Sequence, residues 1–337
     1  MPWTRVLTFT DPEVCQAAVQ AGQVEILPTA KGSFHVEITQ IGMNRLWMQR
    51  FTVALPQIAT VTSAPDRKAI GFLIEANSSD LQHSGMEVAP SDIIVSGFDV
   101  RHQRSSSGFH YGAMSVPVAE FPCLCRTIIG REFLEEPTAL IVRPDPALMG
   151  RLLRLHRTVG QLAHDTPDML DLPEIRRALE EQLIHAMVRC LADGASIEAT
   201  AGGRRHDATV ARFEEFLVAN PDRPLYLTEI CAAIGVAERT LRAACEEHLG
   251  MGPIRFLTLR RMHLVNRALL RADPSKSTVT HIVTDHGFWE LGRFSVAYRT
   301  LFGEPPSETL RRPTGQTAIK LNRPSSVAAP EVSSRSN

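Results

Sequence analysis

The stretch LTEICAAIGVAERTLRAACEEHLG, Leu227 to Gly250, decides how this chain is to be read. Its apolar residues fall into two short helical stripes broken at Gly235. Ile230, Cys231 and Ile234 form the inner face of the first helix, with Thr228 as its cap. Gly235 sits where the chain leaves that helix, a position that often needs the left-handed backbone glycine tolerates. Val236 plugs the space between the two helices. The second helix, Ala237 to Leu249, buries Leu241, Ala244, Cys245 and His248 or Leu249. Glu238, Arg239, Arg242 and Ala243 are left facing outward near its N-terminal end, with Thr240 beside them. In a helix-turn-helix, that end enters a major groove. An arginine there can donate two bonds to guanine O6 and N7.

A second copy follows. Val279, Ile282 and Val283 mark its first helix, Gly287-Phe288 its turn, and Trp289 to Leu301 its second helix. Leu291, Phe294, Tyr298 and Leu301 fall on the core-facing stripe, while Arg293, Ser295 and Arg299 can reach a nucleic-acid backbone or base edges. Between the copies, Pro253–Arg271 reads as one helix with proline in its first turn. Its 19 residues span roughly 28 Å. A strut of that length suits two recognition helices set about one DNA turn, roughly 34 Å, apart.

The whole stretch resembles the AraC/XylS family of bacterial regulators. The resemblance rests on Arg239-Thr240-Leu241, Gly250, Pro253, Phe256-Leu257, Arg260-Arg261, Leu269-Leu270, and Val279 with Ile282. Its densest part is Gly287-Phe288, Arg293-Phe294-Ser295, Tyr298-Arg299 and Leu301-Phe302-Gly303-Glu304-Pro305-Pro306-Ser307. It implies base contacts from Arg239, Arg242 and position 243, where this chain carries only Ala243. The expected capping serine at 237 is Ala237, and the expected core aromatic at 245 is Cys245. In the second unit the base-facing positions hold Leu291, Gly292, Ser295 and Val296, which offer a thymine-methyl contact and one hydroxyl. Arg293 and Arg299 are expected to grip phosphate and fix register.

Charge alone would not have suggested this. The 337-residue chain has a formal net charge of −1, and Val210 to Pro313 carries 14 Arg plus Lys against 12 Asp plus Glu. The placement of the arginines, not their number, carries the argument.

Upstream, period-2 alternation as in Phe34–Ile41, with Gly, Pro, Asn, Asp and Ser clusters between runs, predicts short strands at Val24–Leu27, Phe34–Ile41, Leu46–Val53, Ile58–Thr62, Ile70–Glu75, Ile93–Phe98 and Ala113–Val116. A helix opened by Asp11-Pro12 precedes them. Strands at this spacing suggest a small antiparallel barrel or sandwich, similar to the cupin-like barrels attached to AraC-type proteins. Trp47, Met48, Phe51, Phe72, Ile74, Ile94 and Phe98 are candidates to line its interior. No ligand is legible. Leu148, Leu152, Leu155, Val159 and Leu162 repeat every three or four residues, a seam for a dimer or for packing within the chain. A second helix is expected from Pro173 to Leu191.

The expected architecture is therefore multidomain α+β. An N-terminal cupin-like antiparallel β-barrel with a helical dimerisation segment fills 1–191, and a flexible linker 192–208. An all-α tandem helix-turn-helix domain occupies 209–312, and a disordered tail 313–337. The expected partners are double-stranded DNA, RNA polymerase, a small-molecule effector and a second copy of the chain. The opening residues lack the apolar core of a secretory signal and no apolar run reaches membrane-spanning length, so a cytoplasmic protein is expected. His35, His83, His102 and His110 are scattered, without an H-x-H or H-E-x-x-H spacing, and Ser105-Ser106-Ser107 lacks a nucleophile-elbow context. No enzyme, metal or cofactor is expected. Two other readings stay open: a constitutive regulator whose barrel only dimerises, and a cupin-type enzyme fused to a DNA-binding domain.

Overall fold

The computed structural model describes residues 2–20, 22–75, 80–95, 97, 100–131, 140–220, 225–312 and 320–321. Its strands are β1 (Trp3–Phe9), β2 (Gly22–Pro28), β3 (Val36–Gly42), β4 (Trp47–Val53), β5 (Gln57–Ser63), β6 (Arg67–Leu73), β7 (Leu81–His83), β8 (Met86–Val88), β9 (Ile93–Val95), β10 (Arg101–Ser105), β11 (Phe109–Pro117), β12 (Leu140–Arg143), β13 (Ala195–Ile197) and β14 (Lys320–Leu321). Its helices are α1 (Pro12–Ala18), α2 (Phe121–Ile129), α3 (Pro146–Asp165), α4 (Asp168–Asp171), α5 (Pro173–Ala192), α6 (Ala201–Ala219), α7 (Leu227–Ile234), α8 (Glu238–Leu249), α9 (Pro253–Arg271), α10 (Val279–Asp285), α11 (Leu291–Phe302) and α12 (Pro306–Arg311).

The strands form two antiparallel sheets instead of the expected closed barrel. The larger runs β13-β12-β9-β6-β11-β4-β3-β1-β14 and the smaller β2-β5-β10-β7-β8. Alternation along the central strands gives their two faces different neighbours. On β4, Trp47, Gln49, Phe51 and Val53 line a cavity, whereas Met48 joins an apolar cluster with Leu152 and Val159 of α3 and Leu183 and Met187 of α5. On β11, Phe109, Tyr111, Ala113 and Ser115 line that cavity, and Val116 belongs to the helix-facing cluster. Register enforces this: Ile38 opposes Phe51, and Ile41 opposes Met48.

The leucine seam is spent largely inside the chain. Leu152 and Val159 are buried, and Leu148, Leu155 and Leu162 pack half-buried on the same cluster. Asp145 caps α3, its carboxylate accepting from the backbone N–H of Ala147 and Leu148.

The segment expected to be a flexible linker is ordered. Ala195–Ile197 pairs with β12, and Thr200 caps α6 by accepting from the Gly203 N–H. Gly202 and Gly203 disfavour a helix interior, but the cap and the burial of Val210, Phe213 and Leu217 further along hold α6 in place. Within the stretch expected to be a disordered tail, Lys320–Leu321 pairs with β1; the rest of 313–337 lies outside the described residues.

The C-terminal helices enclose two cores. One joins α6, α7, α8 and the start of α9 through Phe213, Ile230, Leu241, Leu249 and Phe256; it also takes in Leu27 of β2 and Ile58 of β5. The other gathers Met262, Val265 and Leu269 of α9 with Ile282, Val283, Phe294, Tyr298 and Leu310. Helix α9 thus belongs to both cores, and its ends match the sequence reading, Pro253 and Arg271.

Candidate functional site

The first helix-turn-helix is α7 and α8. Gly235 closes α7 at φ 69°, and its N–H bonds the Cys231 carbonyl; this left-handed turn is one where a side chain would be strained. The start of α7 differs from expectation. Tyr226 occupies the cap without a side-chain bond, and Thr228 lies inside the helix. Ala237 precedes α8 and likewise offers no capping side chain. Leu241, Ala244, Cys245, His248 and Leu249 are all buried, so Glu238, Arg239, Thr240, Arg242 and Ala243 emerge together on one exposed face. Arg242 is held by Glu238 one turn earlier at 2.6 Å. Among the described residues Arg239 forms no ion pair.

The second unit is α10 and α11. Thr278 caps α10, accepting from the His281 N–H. Helix α11 begins at Leu291, two residues later than the sequence suggested, and Trp289 before it is 76% exposed. Leu291, which periodicity assigned to the core as well as to the base-facing set, is exposed; Phe294 and Tyr298 alone fill the buried stripe. Gly292, Arg293, Ser295, Val296 and Arg299 share the exposed side with it, and Val296 is 69% exposed. Arg293 pairs with Glu290 at 2.8 Å. The Ser295 hydroxyl donates back to the Leu291 carbonyl.

The dense sequence signature around 298–309 serves the scaffold. Asn266 of α9 donates to the Tyr298 hydroxyl at 2.7 Å, Tyr298 donates to Thr309 at 2.9 Å, and Thr309 donates to Glu304 at 2.6 Å. Arg312 closes the chain on Glu304 at 2.6 Å. Burial pushes the Tyr298 phenol up to about 12, so it remains a donor. The ring of Phe302 packs against Tyr298 at 4.5 Å and His263 at 5.2 Å. These bonds and rings fix α11 against α9.

Sequence reasoning did not foresee that the helical region is docked on the outer face of the smaller sheet. Glu214 of α6 accepts from the Thr60 hydroxyl at 3.0 Å and lies 3.1 Å from Nδ1 of His102. Arg101 pairs with Asp207, which also faces His248 at 3.7 Å. His263 Nε2 donates to the Pro28 carbonyl at 3.0 Å, and Arg267 and Arg271 reach Glu13. Gly250, at φ 69°, lets Arg104 lie against the backbone where a Cβ would stand. Burial holds His83 and His263 neutral, at about 3 and about 4. Neither recognition face takes part in this docking.

Strand β5 is one wall with two sides. Gln57, Ala59, Val61 and Ser63 line the cavity between the sheets; Ile58 and Thr60 touch the docked helices. Of the residues expected to line the interior, Trp47 and Phe51 do so. Met48 and Phe72 face α3 and α5, Ile94 packs in the inter-sheet core, Ile74 is buried away from the lining, and Phe98 lies outside the described residues. Of the four scattered histidines, His83 and His102 are buried, His110 is partly exposed and His35 is exposed.

A helix-turn-helix domain family matches residues 230–312. The chain is similar to a probable thc operon regulatory protein of Rhodococcus erythropolis, 32% identical over 184 residues, 50% of this chain and 54% of that protein. It is similar to XylDLEGF operon transcriptional activator 2 of Pseudomonas putida, 31% identical over 99 residues, 29% of this chain and 63% of that one. The matched stretch therefore spans only about half to three-fifths of these relatives. The solved structure of the AraC-like transcriptional activator CuxR covers 79% of this chain and 95% of its own at 13% identity and a TM-score of 0.40, too loose a likeness to add weight. By its paired helix-turn-helix units, the helix that joins them and the relatives they match, the C-terminal part of the chain is a helix-turn-helix domain similar to those of bacterial operon regulators.

Proposed function

We propose that this protein is a sequence-specific DNA-binding transcription regulator, an activator, whose grip on promoter DNA responds to a small molecule. The observation that carries the reading is the pair of exposed recognition faces, on α8 and α11, braced on the single helix α9. In the first unit Arg239 and Arg242 read base edges, and Glu238, Thr240 and Ala243 shape the surface around them. In the second, Arg293 and Arg299 hold phosphate, while Leu291, Gly292, Ser295 and Val296 lie against the groove floor. Arg242 and Arg293 exchange their helical carboxylate partners for DNA on binding.

The relatives' names as operon regulators and activators favour transcription control as the outcome. The working division is an effector-binding and dimerising region through 191, the segment 192–208, and a DNA-binding domain over 209–312. A homodimer would use the half-buried Leu148, Leu155 and Leu162 stripe, spaced seven apart on α3. RNA polymerase is the partner an activator requires, and the cytoplasm its place. Among the described residues no helix is long and apolar enough to cross a membrane.

Ligand response is favoured by the two-sided β5. A molecule in the cavity touches the strand that docks the DNA-binding helices, so it can favour one domain arrangement over another. Because docking leaves both recognition faces free, the response acts through how the domains are placed, not by covering the DNA surface. Genome-wide mapping of bound sites followed by footprinting on the strongest tests the reading. Protection of two adjacent major-groove segments by one chain is expected; binding without sequence preference overturns it.

A further inference from the structure

The regulatory reading leaves the effector open, and the cavity restricts it. The space between the sheets is about 120 Å³, close to the engineered apolar cavity of roughly 150 Å³ that accepts benzene. That is room for one small ring. The walls are mainly aliphatic and aromatic, with Trp47, Phe51 and Phe109 among them, and among the described residues the lining contains no Asp, Glu, Lys, Arg or His. An ion placed there would lose its hydration with no opposite charge to replace it.

Several of the polar groups that reach the cavity are engaged. Gln49 donates to the Gln20 carbonyl, and its own oxygen accepts from the Gln20 N–H and from Gln40. The Ser115 hydroxyl accepts from Arg67 at 2.9 Å. Tyr111 accepts from Gln103 at 3.4 Å, and burial pushes its phenol up to about 12, so it stays uncharged. One acceptor is left over. Gln57 Oε1 is buried without a partner, and it is the one such atom on the lining among the described residues. A buried amide oxygen without a donor costs stability, and Gln57 lies on β5, the strand shared with the docked helices.

We infer that the effector is an uncharged, single-ring-sized molecule carrying a hydrogen-bond donor, such as a hydroxyl, that Gln57 accepts. The inference rests on the regulatory reading only for the word effector; the binding itself is separable and is measured without DNA. Three probes of one ring size and different charge suffice: benzyl alcohol, benzylammonium and benzoate, titrated at pH 7 into the full chain by calorimetry and by the fluorescence of Trp47.

Benzyl alcohol is expected to bind at least tenfold more tightly than either ion. Gln57→Leu is expected to weaken benzyl alcohol about tenfold while leaving toluene unchanged, a contrast that a merely misfolded cavity would not give. Ala59→Phe should abolish both without loss of cooperative unfolding. Equal or tighter binding of an ion, unchanged benzyl alcohol affinity in Gln57→Leu, or no binding by any probe overturns the assignment. Each of those results leaves operator binding by the same protein intact as a separate test of the regulatory reading.

Discussion

Replacing Ile58 with alanine should loosen the docking of the DNA-binding helices on the smaller sheet, whereas the same truncation three residues on, at Val61, should not. Ile58 is 1% exposed and shares an apolar cluster with Val210, Phe213 and Leu217 of α6. Truncation to alanine removes three carbons. At about 0.8 kcal/mol per buried methylene that is about 2.4 kcal/mol, before any cavity cost raises it. Each 1.4 kcal/mol is about tenfold in an equilibrium constant, so the undocked fraction should rise about 50-fold. Val61 faces the cavity and contributes nothing to the helical cluster. Hydrogen exchange over Ala201–Ala219, with far-UV circular dichroism to verify that both variants stay folded, reads the difference. Small-angle scattering reports extension of the undocked form. If Val61→Ala speeds exchange in α6 as much as Ile58→Ala does, β5 is not a wall with separate faces and the reasoning fails.

The remaining predictions concern DNA and pH. Arg242→Ala should cost about 1–3 kcal/mol of operator affinity and relax preference at one base pair; selection from a randomised site measures it, and an equal loss for every base there removes the direct contact. Arg293→Ala should weaken binding alike on all sequences and reduce the slope of log affinity against log salt by about 1; a salt titration with an unchanged slope counts against the phosphate role. Burial holds His83 and His156 at about 3 and His263 at about 4, below the ordinary value near 6.5. The unfolded chain takes up these protons as pH falls through 6.5 while the folded chain does not. The associated stability is therefore present above pH 6.5 and lost as pH falls, down to about 4 for His263 and about 3 for His83 and His156, by up to about 1.4 kcal/mol per pH unit for each histidine. Urea unfolding at stepped pH should show that loss, and a flat profile would mean these imidazoles are not buried in the neutral form.

What could be read in advance follows the range of the forces involved. The tandem units were legible because their signals are local: Gly235, the stripe Leu241, Ala244 and Cys245, and Pro253 at the start of α9. Cap and turn details were less so. Tyr226 takes the cap assigned to Thr228, and Leu291 turns outward because Phe294 and Tyr298 already fill the core beside α9. In the N-terminal region the alternating strands were visible, but β1, β10 and the short β7, β8, β12 and β13 were not. β1 mixes Arg5 and Thr8 with its apolar residues. β10 reads Arg-His-Gln-Arg-Ser, polar at every position, and its Arg101 and His102 are covered where the docked helices supply Asp207 and Glu214. No periodicity records a partner 100 residues away. For the same reason α6 looked like a linker: its glycines are visible in sequence, and the surface that orders it is not.

Strand β5 makes immediate neighbours in sequence answer to different demands. Exchange of Ala59 or Val61 alters what fits the cavity, while Ile58 and Thr60 between them keep the docking surface. Under the proposed regulatory reading, selection can therefore retune the cavity in single steps without dismantling the docking surface. A directed library confined to the odd positions 57, 59, 61 and 63 inherits that freedom. One confined to 58 and 60 would instead vary how firmly the helices are docked.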